Sequence, residues 1–367
     1  MDTITTFSIF IIVLFLYIHV MSQFKKSEEL EIYEMDYTNN PNLQEVCDVR
    51  QPVLFNVRDI IPGLFSDLNS QNVAKYSSHD VRLKDSRDYY SDAFNEQIPV
   101  DSIALALHTT IHIMETDKSG CYFSEDNDDF LEETGLMKRI CAIVDILRPS
   151  FTVNSSYDIL FGSVNTATPL RYHTNFRQFL CVTSGKIRVK MAPWKSSKYL
   201  HPYKDYEHYE FRSLVHPLQP TKCYISDFEK TNFIDFEVNE GTMLYVPPYW
   251  WYSIIYLDDP STFVCKITYS TLMNCLSNLP DLAIYVLQQQ NITKKINKIP
   301  DISTKTESNP ENEEEIIRSD ETPLDSIPLN RTPLDSIPLN GTPLNGIPLD
   351  KELEVKPDNI KFTLDDK

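Results

Sequence analysis

The sequence predicts a mainly β body with flanking helices, an N-terminal transmembrane helix and a disordered C-terminal tail. Three observations carry this. Residues 7–21 form an unbroken apolar run, FSIFIIVLFLYIHVM. Between about 150 and 270, short stretches rich in Val, Ile, Phe and Tyr follow one another, the composition of strands. Beyond about 295 a ten-residue proline repeat takes over.

Counted from Ile4 to Met21, the apolar run has 18 residues. A spanning helix needs about 20, and about 17 suffice. No Lys or Arg precedes the run and no small-x-small site follows it, so residues 1–24 read as an anchor and not as a cleaved signal peptide. Lys25 and Lys26 would place the body on the cytosolic side of a single-pass protein, a signal diluted by Glu28, Glu29 and Glu31. Sequons at Asn154, Asn291, Asn330 and Asn340 matter only for a luminal body. Residues 25–45 are polar and acidic and read as a linker.

The body is expected over 46–295. Ser102 to Thr116, rich in Ile and Thr, reads as one or two strands. Asp126 to Leu147 reads as two helices broken at Gly135, with an acidic start that suits a helix N-terminus. Strands are expected at Tyr157–Phe161, Arg177–Thr183, Lys186–Met191, Met243–Val246 and Thr262–Tyr269. HPYKDYEHYEFRSLVH, from His201 to His216, reads as a tyrosine-rich loop whose histidine spacing suits no compact metal motif. Pro280 to Gln290 reads as a closing amphipathic helix with proline at its start. From 296 to 367 proline recurs every five residues within the repeats, as in TPLDSIPLNR. It removes backbone donors, so the segment reads as an extended spacer.

The formal charge is −19, which argues against nucleic acid as a partner, because phosphate binding needs a surplus of Lys and Arg. The abundance of Asn, Ile and Lys is that of an AT-rich genome, as in large DNA viruses. The seven cysteines form no CxxC pair and read as buried free thiols, with a Cys265–Cys275 disulfide as the other reading.

Two segments carry the chemistry: FGSVNTATPLRYHTNFRQFLCVTSGKIRVKMAPW from Phe161, and VNEGTMLYVPPYWWYSI from Val238. Together they resemble the Jumonji-C and cupin-like 2-oxoglutarate oxygenases, above all the asparaginyl-hydroxylase-like branch. That resemblance implies a double-stranded β-helix (a cupin or jelly-roll barrel) over the body. It also implies ferrous iron held by two histidines and one carboxylate, with 2-oxoglutarate beside it. In the family Thr-Pro-x-His-x-Asp opens the barrel, and a third ligand follows a Trp pair. Alternate residues of a strand share a face, so His-x-Asp aims two ligands inward.

Laid on that pattern, Thr168-Pro169-Leu170 matches the opening. The first histidine position is Arg171, the carboxylate position is His173, and the distal histidine position is Tyr252. A slip of two residues would pair His173 with Asn175 on the same face. A guanidinium about 4 Å from a divalent cation costs roughly 8 kcal/mol at an effective dielectric of about 20. The metal candidates that remain are His173 and Tyr252, and no cofactor is expected. Thr168, Arg171 and Lys186 are the candidates for holding a 2-oxoglutarate-like carboxylate, with Lys190 and Lys266 as alternatives to Lys186. For Arg171 there are two readings: a fork for a bound carboxylate, or one arm of an internal salt bridge.

Two function classes follow. One is a membrane-anchored, catalytically inactive binding or scaffold module whose partner is a small carboxylate or a protein. The other is an Fe(II)/2-oxoglutarate-dependent dioxygenase that hydroxylates protein side chains.

Overall fold

The computed structural model describes residues 3–90, 100–257, 262–289 and 297–298. All but two residues of the tail expected from 296 thus lie outside the described residues. The chain opens with helix α1 (Thr3–Gln23), long and apolar enough to cross a membrane by length and composition. Residues 33–48, read as the end of a linker and the start of the body, join the body throughout. Strand β1 (Tyr33–Glu34) pairs with β2 (Val53–Asn56), and α2 (Asn40–Asp48), capped by the Asn39 side chain, buries Leu43 and Cys47. Short helices α3 (Pro62–Asp67) and α4 (Ser70–Val73) lead to β3 (Asp80–Asp85) and β4 (Ile103–Ala106).

The stretch 102–116, expected as one or two strands, folds differently. Only Ile103–Ala106 is a strand, and Leu107–Thr116 is helix α5. Leu107, Thr110 and Met114 are its buried side, at helical spacing, and their packing overrides the strand preference of the Ile and Thr residues. After β5 (Tyr122–Ser124), α6 (Asp128–Glu133) and α7 (Leu136–Val144) are divided at Gly135, as expected.

The remaining strands build the body. They are β6 (Thr152–Gly162), β7 (Arg171–Tyr172), β8 (Arg177–Ser184), β9 (Lys186–Ala192), β10 (Pro202–Asp205) and β11 (Glu210–Ser213). After the short helix α8 (Ile225–Phe228) come β12 (Ile234–Asn239), β13 (Thr242–Val246), β14 (Trp251–Tyr256) and β15 (Phe263–Thr271). Helices α9 (Leu272–Ser277) and α10 (Leu279–Gln289) follow, and β16 (Asn297–Lys298) pairs with β4.

The strands form two sheets. The larger runs β1-β2-β13-β8-β15-β6-β5-β3-β4, with β16 at its edge, and the smaller runs β10-β11-β7-β14-β9-β12. The chain crosses from one sheet to the other at Gly185, between β8 and β9, and at Gly241, between β12 and β13. Both have positive φ, +74° and +92°. At Gly185 a Cβ would stand 2.3 Å from Thr262 Oγ1, so both conformation and space demand glycine.

Alternation along each strand sorts the core. Leu160, Leu180, Val182, Leu244, Val246 and Val264 of the larger sheet meet Ile187, Val189, Met191 and Ile254 of the smaller one, filling the barrel. On the other face of the larger sheet Ile159, Phe179, Cys181, Tyr245, Cys265 and Ile267 pack under the helices. With both faces covered, these strands read as continuous apolar runs. The thiols are free: Cys47, Cys121, Cys181 and Cys265 are buried, while Cys141 and Cys223 are exposed and Cys275 is partly so.

Candidate functional site

Strand β7 is two residues long and lies between β11 and β14, with Arg171 directly opposite Arg212 on one side and Tyr252 on the other. Tyr172 points to the outer aromatic layer with Phe211 and Trp251. Arg171 and His173 therefore share the inner face. The guanidinium carbon sits 5.8 Å from the Tyr252 ring centroid, and the rings of His173 and Tyr252 are 6.5 Å apart. The three aligned positions thus meet, lining a cavity of about 170 Å³ with Glu125, Asp126, His208, Glu210 and Lys266 among its walls.

The charges that line the cavity pair with one another. Arg171 Nη1 donates to Glu125 Oε1 at 2.8 Å and Nη2 donates to Glu125 Oε2, a two-pronged contact; Nη1 also reaches Glu210 Oε1 at 3.2 Å. Lys84 Nζ donates to Glu125 Oε1 at 3.0 Å and to Asp126 Oδ2 at 2.5 Å. On the neighbouring strands Lys266 and Asp158 stand opposite each other in the β6–β15 pairing, 2.8 Å apart. Asp158 also accepts from the backbone N–H groups of Asp126 and Asn127 at 2.9 and 2.8 Å. The Glu125 side chain is only 2% exposed.

Burial pushes the Glu125 carboxyl up, but Arg171 and Lys84 overcome it and hold it near pH 2. Burial likewise opposes charge on Arg171, and Glu125 reverses it, raising Arg171 well above its usual value. Glu210 is raised: its burial outweighs the pull of Arg171. His173 is lowered to about 4 by burial. It is a neutral imidazole at pH 7 and donates from Nε2 to the Val246 carbonyl at 2.9 Å, so its Nδ1 carries the lone pair. Nδ1 is buried and has no hydrogen-bond partner among the described residues.

The other expected site residues lie elsewhere. Thr168 is buried in the frame: its hydroxyl accepts from the Ile254 N–H at 2.9 Å and its carbonyl accepts from Ser253. Lys186 pairs with Glu237 at the surface, 3.2 Å away, and Lys190 donates to the Pro217 carbonyl. Neither lysine lines the cavity, whereas Lys266 does. Of the two readings of Arg171, the structure shows an internal salt bridge: its fork holds the Glu125 carboxylate. Trp250 and Trp251 are fully buried, with their indole N–H groups on the Arg50 carbonyl and Ser197 Oγ.

Sequence reading missed Glu125, Glu210, Lys84 and Asp158. Glu210 sits on β11, in the segment expected to be a loop but folded as the β10–β11 hairpin. A usable signal did exist for one pair. Asp158 and Lys266 are the charged residues inside two otherwise apolar strands, YDILF and FVCKITY, and such charges need each other.

The two sheets, their crossover turns and the inward-facing β7 define a double-stranded β-helix barrel. The Cupin-like domain family model matches residues 72–274, more than half of the chain, and the chain belongs to that family. It is also similar to JmjC domain-containing protein D of Dictyostelium discoideum, with 27% identity over 149 residues, 35% of this chain and 33% of that protein. The match spans about a third of that relative's length.

Proteins of this family are typically Fe(II)- and 2-oxoglutarate-dependent. The residues here do not fit that metal. Arg171 brings a paired guanidinium to one ligand position, and His173 offers one neutral nitrogen where a carboxylate belongs. Among the described residues no group of three or more His, Cys, Asp or Glu side chains could hold a metal ion.

Proposed function

We propose that this is a single-pass membrane protein whose cupin-like barrel is catalytically inactive and serves as a binding or scaffold module on the cytosolic side. The ion pair between Arg171 and Glu125 carries the reading of inactivity. It fills the space where the family's first metal ligand would act, and breaking it would leave a buried charge unpaired, at a cost of about 3–5 kcal/mol. Lys84 and Lys266 are paired too, so a free carboxylate would have to displace an internal one. That favours a protein as the partner over a small carboxylate. The anchor is supported by the length and composition of α1, and the cytosolic side by Lys25 and Lys26.

One feature favours an iron-dependent side-chain hydroxylase instead: the unpartnered Nδ1 of His173. The test is full-length protein in detergent with ferrous iron, ascorbate and 2-oxoglutarate. Succinate should form only at background rate. Turnover that disappears in His173→Ala would overturn the proposal.

A further inference from the structure

Helix α10 sits on the body by its polar side. Asp281 accepts from Lys204 Nζ at 3.0 Å and from Tyr206 Oη at 2.6 Å. The Tyr285 ring lies against Tyr209 with centroids 5.4 Å apart, and Gln289 donates to the Glu207 carbonyl at 2.6 Å. The opposite side carries Leu279, Ala283, Ile284, Val286 and Leu287, all exposed, with Leu279 at 57% and Leu287 at 62%. This is the reverse of a helix on a water-facing surface. Leu272 and Leu276 of α9, one helical turn apart, are exposed as well.

What covers the strip is indicated by its neighbour. Helix α9 packs beside α1. In α1 the half-buried residues are Val20 and Gln23, at the end that meets the body, while the apolar run before them is exposed. A helix of 21 residues spans about 32 Å, close to the roughly 30 Å of a bilayer core. The end of α1 that meets the body thus belongs to the same helix that packs beside α9. Phe151, 88% exposed, precedes Thr152, whose register partner Thr271 caps α9, so an exposed aromatic stands at the same end of the larger sheet. The exposed face of α10 carries no charge, since its acidic residue, Asp281, faces the body.

We infer that α9 and α10 seat in the interface of the same bilayer that α1 crosses, their leucines at the boundary between headgroups and acyl chains. This rests on the anchor reading of α1. The partner is zwitterionic phospholipid: the strip offers apolar area without basic residues, and the chain's charge of −19 disfavours anionic lipid.

Full-length protein reconstituted in phosphatidylcholine vesicles tests this, with Leu287→Trp and, as a second probe, Val286→Trp. Emission added over the wild-type tryptophans should be quenched at least twofold by lipids brominated in the upper acyl chain, equally at low and high salt. Carbonate-resistant protein whose added tryptophan escapes quenching would overturn the inference and leave the anchor standing. Cross-links between copies through this face, without quenching, would also overturn it and make the occupant a second chain. Protein that carbonate extracts from the vesicles would remove both the anchor and the inference.

Discussion

Arg171 and Glu125, 46 residues apart in the chain, are joined inside the barrel through both terminal nitrogens of the guanidinium and both oxygens of the carboxylate. The contact holds the segment after β5 against β7 and lines the cavity with paired charge.

Removing one partner is therefore predicted to be costly. Arg171→Met should lower stability by about 3–5 kcal/mol, because Glu125 stays buried with only Lys84 to answer it. Arg171→Met combined with Glu125→Leu should recover most of that loss. Denaturant unfolding of the single and double variants measures the coupling.

Chemical rescue follows from the same geometry. Glu125→Ala leaves Arg171 with Glu210 alone and frees its Nη2 beside the cavity. Millimolar acetate should raise the melting temperature of this variant by several degrees and leave the wild type unmoved. Equal shifts in both would mean that the fork is not what acetate finds.

Acid should destabilise the fold in two stages. His173 titrates near 4 when folded, below its usual 6.5, so the unfolded chain takes up its proton first and stability falls as pH drops from about 6.5 to 4. Glu125, held near 2, contributes stability that is full above its ordinary 4.5 and is lost between about 4.5 and 2. Glu210 runs the other way: its folded pKa is raised, so its contribution is full below 4.5 and fades above it. In His173→Gln the loss between 6.5 and 4 should shrink, which a melt series in pH would record.

Gly185→Ala should cost about 2 kcal/mol or more, since it places a side chain at φ +74° and drives a Cβ into Thr262. A melt unchanged within error would contradict the turn geometry.

Deleting residues 1–24 should release the protein from carbonate-washed membranes. Full-length protein that is already extracted by carbonate would remove the anchor.

Most of the barrel was legible because its strands carry local signals. The Gly185 turn divides two apolar runs, and the glycine, prolines and tryptophans of GTMLYVPPYWW mark β13, the turn and β14. Residues 107–116 were not legible as a helix, since Ile and Thr favour strands locally and only the packing of Leu107 and Met114 decides otherwise. The resemblance located Arg171, His173 and Tyr252. Nothing near them in sequence could tell which carboxylate answers Arg171, because ion pairs form between segments that only the folded chain brings together. Asp126 was taken for a helix start on charge alone, although it pairs with Lys84 just before α6.

We propose that the family's iron position has become an internal ion pair. Metal analysis of full-length wild-type protein after loading with excess ferrous iron and removal of the unbound metal tests it most directly. Far less than one iron per chain is expected, unchanged by His173→Ala. One iron per chain, lost in His173→Ala, would contradict it.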